Sequence, residues 1–136
     1  NFIRTHLYAS VGVLKIGNDI LFNEEKIKVD RITAHGGLFK TKGVGQRILA
    51  AAINSPISVM ETAGEGGAWG IALLASYLVN NGNCQSLADF LDKDVFTGDA
   101  GIEISPTAED VSGFNTYIER YKAGLPIEEA SVRFKN

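Results

Sequence analysis

The placement of glycine constrains the fold of this 136-residue chain more than any other feature. The chain has 15 glycines, and two groups of them stand just before apolar stretches with helical spacing. The first group is Gly36, Gly37, Gly43 and Gly45, and the second is Gly64, Gly66, Gly67 and Gly70. Glycine lets the main chain turn sharply and lets another group approach the bare backbone. The pattern therefore predicts two specialised turns, each leading into a helix.

Around these turns, the spacing of apolar residues alternates between helical and strand-like periods. It predicts helices over Phe2–Ile20, Gly43–Ile53, Ala68–Asn80, Leu87–Leu91 and Thr107–Ala123. It predicts strands over Ile27–Ile32 and Ile57–Met60, with a further short strand allowed within residues 92–105. Gly124 and Pro126 are expected to end the fifth helix before a last helical segment, Ile127–Phe134. This order is typical of an α/β fold, and two strands are so few that we expect them to belong to a larger or truncated sheet.

The composition excludes several classes of function. The formal net charge of −3 gives no broad attraction for nucleic acid phosphates, although backbone amides could still bind one nucleotide. The single cysteine, Cys84, excludes an internal disulfide and favours a reducing, cytoplasmic compartment. Two histidines are too few for a typical zinc site, and no apolar run reaches the roughly 18 residues of a membrane-spanning helix.

The first glycine group offers a place for a ligand. Gly36 and Gly37 join a predicted strand to a predicted helix, and Lys40 and Thr41 follow them with a charge and a hydroxyl. Such a turn suits a phosphate or the edge of a nucleotide, but a tight turn with no ligand explains the same residues. The spacing fits neither a Walker A motif nor a dinucleotide fingerprint.

The second group has two interpretations as well. Gly66 and Gly67 could form a wall of the same nucleotide pocket, or they could let a buried helix pack closely against a neighbour. Trp69 is expected to be a core residue, and His6 is expected to lie in the core or at an interface. The acidic residues Asp92, Asp94 and Asp99 are interpreted as a solvated loop rather than a metal site, because their spacing does not match a calcium loop.

Residues 36–57 resemble the adenosine motif of the FGGY carbohydrate kinases, which runs Gly-Gly, Lys-Ser, Trp, Gln, Ala-Asp and Pro-Val. The matching positions are Gly36, Gly37, Lys40, Gln46, Ala50 and Pro56, with Thr41 in place of Ser and Ile57 in place of Val. Two positions depart from the motif, since Val44 replaces its Trp and Ala51 its Asp. Residues 59–75 resemble the family's closing Gly-Ala-Ala helix, in a glycine-rich form most like that of the pentulose kinases.

The resemblance implies a fold and a function. Residues 1–136 would be the C-terminal, adenosine-side part of a ribonuclease H-like, actin-like lobe with a small sheet and packed helices. The enzyme would transfer the γ-phosphoryl group of ATP, with magnesium, to a pentulose such as xylulose or ribulose. The family's catalytic Asp and first phosphate loop lie upstream of this stretch, and neither is among these residues. The fragment is therefore expected to bind ATP weakly at most, to phosphorylate no sugar, and to leave magnesium mainly to the other lobe.

The resemblance also implies roles for particular residues. Gly36 and Gly37 would shape the turn under the adenosine, Lys40 and Thr41 would flank it, and Gln46 would face the nucleoside. Gly66 and Gly67 would close the far side of the pocket. A homodimer is left open. The alternative is a non-catalytic, actin-like interaction or sensor module, which the departures at Val44 and Ala51 favour.

Overall fold

The computed structural model of the protein describes residues 1–80, 85–98 and 101–134. The helices are α1 (Phe2–Asp19), α2 (Val44–Ile53), α3 (Gly66–Asn80), α4 (Leu87–Phe90) and α5 (Ala108–Arg133). The strands are β1 (Ile32–Thr33), β2 (Ile57–Val59) and β3 (Ile102–Ile104). Short 3-10 turns cover Gly37–Phe39 and Glu61–Glu65, and π-helical turns cover Ile20–Glu24 and Leu91–Val95. In the described ranges, no helix is long and apolar enough to cross a membrane.

The sheet is small and mixed, with β2 between its two neighbours. β1 runs parallel to β2, with Ile32 opposite Ile57, whereas β3 runs antiparallel and places Ile104 opposite the same residue. The short strand allowed within residues 92–105 is therefore confirmed as β3. The α/β class, with helices packed on a small sheet, is confirmed too.

The hydrophobic core lies where α1, α2 and α5 meet the sheet. Phe114 of α5 and Ile57 of β2 are its largest fully buried side chains. Three successive alanines of α2, residues 50–52, are almost completely buried. Because alanine is small, helix α2 can lie close to its neighbours on several sides and occupy the middle of the core.

The predicted first helix exists, but the prediction of its core-facing side is mostly wrong. The helical spacing predicts one stripe of Phe2, His6, Ala9, Val13, Ile16 and Ile20, of which Ile16 packs against the core. Phe2 and Val13 are 78% and 67% exposed, while Val11 and Gly12 are buried. A Cβ atom at Gly12 would lie 3.5 Å from the ring of Tyr121 in α5. Gly12 therefore leaves room for Tyr121, and α5 packs on this face of α1. His6 is exposed, and its ring centroid lies 4.5 Å from that of Phe2, so it is not a core residue.

The predicted strand over Ile27–Ile32 is also mostly wrong. Of the six residues in the predicted strand, only Ile32 belongs to β1, and Ile27 and Val29 are 48% and 47% exposed. The partner strand β2 begins directly after Pro56, which has no N–H group to extend the ladder in that direction. The pairing therefore ends where the donor is missing.

Helix α5 continues through Gly124 and Pro126, where the sequence predicted a break. A proline inside a helix leaves the carbonyl four residues before it without its N–H partner. This part of α5 is largely exposed, so water can donate to that carbonyl. The cost of the break is thereby reduced, and one long helix replaces the two predicted ones.

Helix α3 forms as predicted, but the interpretation that it is buried is wrong, because none of its residues is buried. Trp69 is half-buried rather than a core residue, with its ring centroid 5.7 Å from that of Phe96. Asp92 and Asp94 are exposed in the second π-helical turn. The predictions for Cys84 and Asp99 lie outside the described residues.

Candidate nucleotide site

The glycine turn after β1 is open on its outer side. Gly36 has φ +112° and ψ 177°, a backbone conformation that side-chain-bearing residues rarely adopt. Within the described ranges, nothing beyond the adjoining chain lies within 4 Å of a Cβ built at Gly36 or Gly37. The Gly36 N–H donates a 2.7 Å hydrogen bond to the Ala63 carbonyl oxygen. This bond fixes the first glycine segment against the second.

The first turn of α2 packs directly on the glycine turn. A Cβ at Gly45 would lie 2.5 Å from the carbonyl oxygen of Leu38, which no side chain allows. Gly43, which precedes the helix, has φ +77°. Both glycines are therefore required by the backbone path. Gly45 belongs to the first glycine group, but the sequence assigned it no role. Its position just inside a predicted helix, where glycine is unfavourable, was the signal that close packing requires it.

Gln46 ties α2 to two strands. Its side chain is 4% exposed, and its Nε2 donates 2.6 Å hydrogen bonds to the carbonyl oxygens of Ile57 and Ile102. These bonds use both amide protons. Sequence reasoning expected Gln46 to face a nucleoside and did not foresee this structural task, which depends on a residue 56 positions further along the chain.

A charged cavity of about 540 Å³ opens beside the glycine turn. Its polar lining comes from Lys40, Thr41, Lys42, Gln46, Glu61 and Glu65. The Lys40 Nζ lies 2.6 Å from the Glu65 Oε1, and both side chains are more than half exposed. The cavity brings together three of the predicted site residues, Lys40, Thr41 and Gln46. Lys42, Glu61 and Glu65 were not among the predicted site residues.

An apolar groove of about 360 Å³ lies at the start of α3. Its lining includes His35, Gly66, Trp69, Gly70, Leu73 and Phe96. A Cβ at Gly66 would lie 3.4 Å from the Cβ and Nδ1 of His35, so a side chain at position 66 would crowd His35 at one end of the groove. Gly67 lines neither space, and its missing side chain would meet nothing within 4 Å among the described residues.

Residues that are close in the sequence line the two spaces. His35 lines the groove and Phe39 the cavity, and the turn at Gly36 and Gly37, which itself lines neither space, lies between these two residues in the chain. In the second segment, Glu65 lines the cavity and the next residue, Gly66, lines the groove. An elongated ligand with an apolar end and an anionic end would match these surroundings.

Metal ligands are sparse in this region. The described residues include no group of three or more His, Cys, Asp or Glu side chains that could hold a metal ion. Magnesium in nucleotide sites usually keeps several waters and binds through substrate phosphates and one or two carboxylates. The glutamates at the cavity, Glu61 and Glu65, are compatible with that mode but do not form a protein cage.

The chain matches the model of a known protein family. The model of the C-terminal domain of the FGGY family of carbohydrate kinases matches residues 1–79, which is 79 of the 136 residues. The match includes α1, α2, the first two strands, both glycine segments and nearly all of α3. No curated protein and no solved structure matches the chain.

Proposed function

Because the chain belongs to the FGGY family of carbohydrate kinases through their C-terminal domain, we propose that it forms the adenosine-binding side of an ATP-dependent sugar kinase. The proposed substrate is a pentulose such as xylulose or ribulose, on the strength of the glycine-rich form of residues 64–70. The proposed architecture is a ribonuclease H-like, actin-like lobe, of which these residues are the C-terminal part.

One observation carries this proposal. The backbone at Gly36 and Gly37 is free of side-chain bulk, and in the chain it stands between His35 at an apolar groove and Lys40 and Lys42 at a charged cavity. A purine needs an apolar or aromatic surface for stacking, which Trp69 and Phe96 offer. Phosphates need positive charge, which Lys40 and Lys42 offer. The order of these features along the turn is the order of the parts of a nucleotide.

The residues of this chain would act by binding and orienting. Phosphoryl transfer depends mainly on positioning and on neutralising charge in the transition state. When bound, ATP supplies the phosphoryl group and magnesium neutralises part of its charge. Gly36 and Gly37 would let the nucleotide lie against the main chain, and Thr41 would flank it. Gln46 would keep α2 and the sheet edge in place below the cavity, and Gly66 would border the groove.

The base that accepts the sugar proton is proposed to lie in the other lobe, as the family's motif order implies. We therefore expect no sugar phosphorylation by the 136-residue chain. A coupled assay with ATP, magnesium and xylulose or ribulose checks this expectation. Measurable turnover by the purified chain would contradict it.

Nucleotide binding is tested by calorimetric titration with ATP and magnesium, using two glycine variants. Weak ATP binding is expected for the chain itself. In Gly37→Val the added Cβ meets no described atom within 4 Å beyond the adjoining chain, so the fold should persist. The side chain should, however, block the approach of the nucleotide to the backbone. Loss of binding in this variant is the expected result.

Gly113→Val is the matched control for this titration. Gly113 also has open space at its Cβ, and it lies in α5 outside both the groove and the cavity. It should bind ATP as the unmodified chain does. Equal ATP affinity of Gly37→Val and the unmodified chain would favour a purely structural turn.

A non-catalytic interaction or sensor module is the second candidate. It is favoured by the apolar side chains that α3 exposes, among them Leu78 at 78% and Val79 at 83%. The same titration separates the two candidates. Failure of the folded chain to bind ATP–magnesium would favour the interaction module.

A further inference from the structure

The ion pair between Lys40 and Glu65 joins the two glycine segments at the charged cavity. Lys40 follows the first turn, Glu65 ends the second, and both line the same space. Their side chains are 57% and 73% exposed. Water therefore competes for both groups, and a pair of this kind contributes only about 0–1 kcal/mol. Such a contact is weak enough for a bound ligand to replace.

The local backbone directs Lys40 toward this partner. A Cβ at Gly64 would lie 3.0 Å from the Cγ of Lys40. The aliphatic part of the lysine therefore rests on the main chain of the second segment, one residue before Glu65. A side chain at position 64 would displace it. The fold therefore holds the two charged groups near each other, and their contact does not depend on chance meetings of two mobile side chains.

The other charged groups of the cavity differ from this pair. Glu61 lines the same space without an ion pair in the part of the chain that the structure describes, and so does Lys42. The four side chains sum to no net charge. A polyanion entering the cavity gains fully from Lys40 only after the contact with Glu65 opens.

We propose that Glu65 is a specificity-determining residue, which holds Lys40 in a closed pair that a polyphosphate must open and a nucleoside need not. The proposal rests on the nucleotide site proposed above. A ligand shifts an equilibrium only through its different affinity for the two states. Adenosine has no charge to offer Lys40 and binds both states equally. ATP binds the open state better, so its affinity is reduced by the fraction of time the pair is closed.

The expected size follows from the pair's strength. An exposed pair that is closed for half or more of the time lowers the apparent affinity of the phosphate ligand by about two- to five-fold. Glu65→Gln keeps the shape of the side chain and removes its charge. It should tighten ATP by about that factor and leave adenosine affinity within error.

Glu61→Gln is the matched control variant. It removes one negative charge from the same cavity but no partner from Lys40, so it measures the general electrostatic gain. The gain in Glu65→Gln should exceed the gain in Glu61→Gln for ATP and for inorganic tripolyphosphate. Equal gains in the two variants, or equal tightening of ATP and adenosine, would overturn the role of Glu65.

A double-mutant cycle tests whether Lys40 carries the effect. In Lys40→Gln, the further change Glu65→Gln should no longer tighten ATP beyond the gain given by Glu61→Gln in the same background. If the extra gain persists without Lys40, the effect comes from the charge of Glu65 alone, and the closed pair is the wrong explanation.

The experiment also separates this proposal from the one on which it rests. If the chain binds ATP but Glu65→Gln matches its control, the nucleotide site stands and the role of Glu65 fails. Tripolyphosphate could bind with the expected pattern while adenosine does not bind and ATP binds no more tightly than tripolyphosphate. Glu65 would then control a phosphate site, and the adenosine assignment would fail. If no variant binds any of the three probes, both proposals are overturned.

Discussion

The helices α2 and α3 both follow a glycine segment, but their surroundings are opposite. Six of the ten residues of α2 are buried, including Leu49 and three alanines, whereas α3 has no buried residue. Yet α3 has no charged side chain at all between Gly66 and Asn80. Burial in this molecule therefore depends on whether a packing partner is present rather than on apolar content. α2 has α1, α5 and the sheet around it.

Two of the contacts that α3 makes with other described residues join aromatic rings. The ring of Trp69 lies against Phe96, and the ring of Tyr77 lies 5.5 Å from that of Phe90. The Tyr77 hydroxyl also donates a 2.7 Å hydrogen bond to the Gln85 carbonyl oxygen. These contacts attach α3 to residues 85–98 rather than to the core, so the two regions should respond differently to the same kind of mutation.

The largest difference is expected for truncation of a large apolar side chain. Phe114 is fully buried, with its ring centroid 4.9 Å from that of Tyr8. Phe114→Ala should lower the free energy of unfolding by about 3–5 kcal/mol, through lost transfer energy and a cavity. Leu78→Ala in α3 should change it by no more than about 0.5 kcal/mol, since the side chain is 78% exposed. Denaturant unfolding followed by circular dichroism measures both.

The two variants together test whether α3 is exposed in solution. A large loss in Leu78→Ala would mean that α3 is covered in solution, and the contrast between the regions would fail. If Phe114→Ala does not fold, Ile118→Val replaces it, with an expected loss of about 0.5–1.5 kcal/mol. Ile118 is 2% exposed in the same core.

A medium effect is expected when glycine is replaced by alanine in each helix. Gly45→Ala would force a Cβ against the Leu38 carbonyl oxygen and should lower the free energy of unfolding by about 1–3 kcal/mol. Gly70→Ala in α3 meets nothing within 4 Å among the described residues. It should stabilise the protein by about 0.5–1 kcal/mol through helix propensity. Thermal unfolding of both variants tests whether the signs are opposite, and equal signs would contradict the assigned packing.

The sequence was sufficient where a local signal decides the structure. The helices predicted over Leu87–Leu91 and Thr107–Ala123 begin with Ser86 and Thr107 as their caps, and both side chains accept a 3.1 Å hydrogen bond from the backbone N–H three residues on. The predicted helix end at Ile53 is confirmed, and the next residue, Asn54, adopts a left-handed conformation with φ 56°. Capping and turn signals involve neighbours in the sequence, so a single chain contains all the information they need.

The sequence was insufficient where a distant partner decides. The buried face of α1 depends on Tyr121, and the length of β1 depends on where Pro56 allows β2 to begin. The site shows the same limit. Its glycine turn was predicted from residues within one segment, but the hydrogen bonds of Gln46 and the ion pair of Lys40 depend on residues elsewhere in the chain. Periodicity gives a face and a type of element, and only packing chooses the partner.

The smallest effect is expected from pH and concerns the core alone. Burial raises the pKa of the Tyr117 hydroxyl above its ordinary value, and the neighbouring Tyr121 raises it further. The unfolded chain loses this proton near pH 10, before the folded chain does. The contribution of Tyr117 to stability is therefore fully present below about pH 10 and is lost as the pH rises through the higher folded-state pKa.

Denaturant unfolding between pH 8 and pH 11 measures this loss, with Tyr117→Phe as the comparison, because phenylalanine keeps the ring contacts with Tyr8 and Phe114 but has no proton to lose. Other groups also titrate in this range, so only the difference between the two proteins reports on Tyr117. The free energy of unfolding should fall more steeply with pH in the unmodified protein than in Tyr117→Phe. Parallel curves would mean that water reaches the hydroxyl as freely in the folded chain as in the unfolded one, and the packing of α5 against α1 would then be looser than the ring distances of 5.2 and 5.9 Å around Tyr117 indicate.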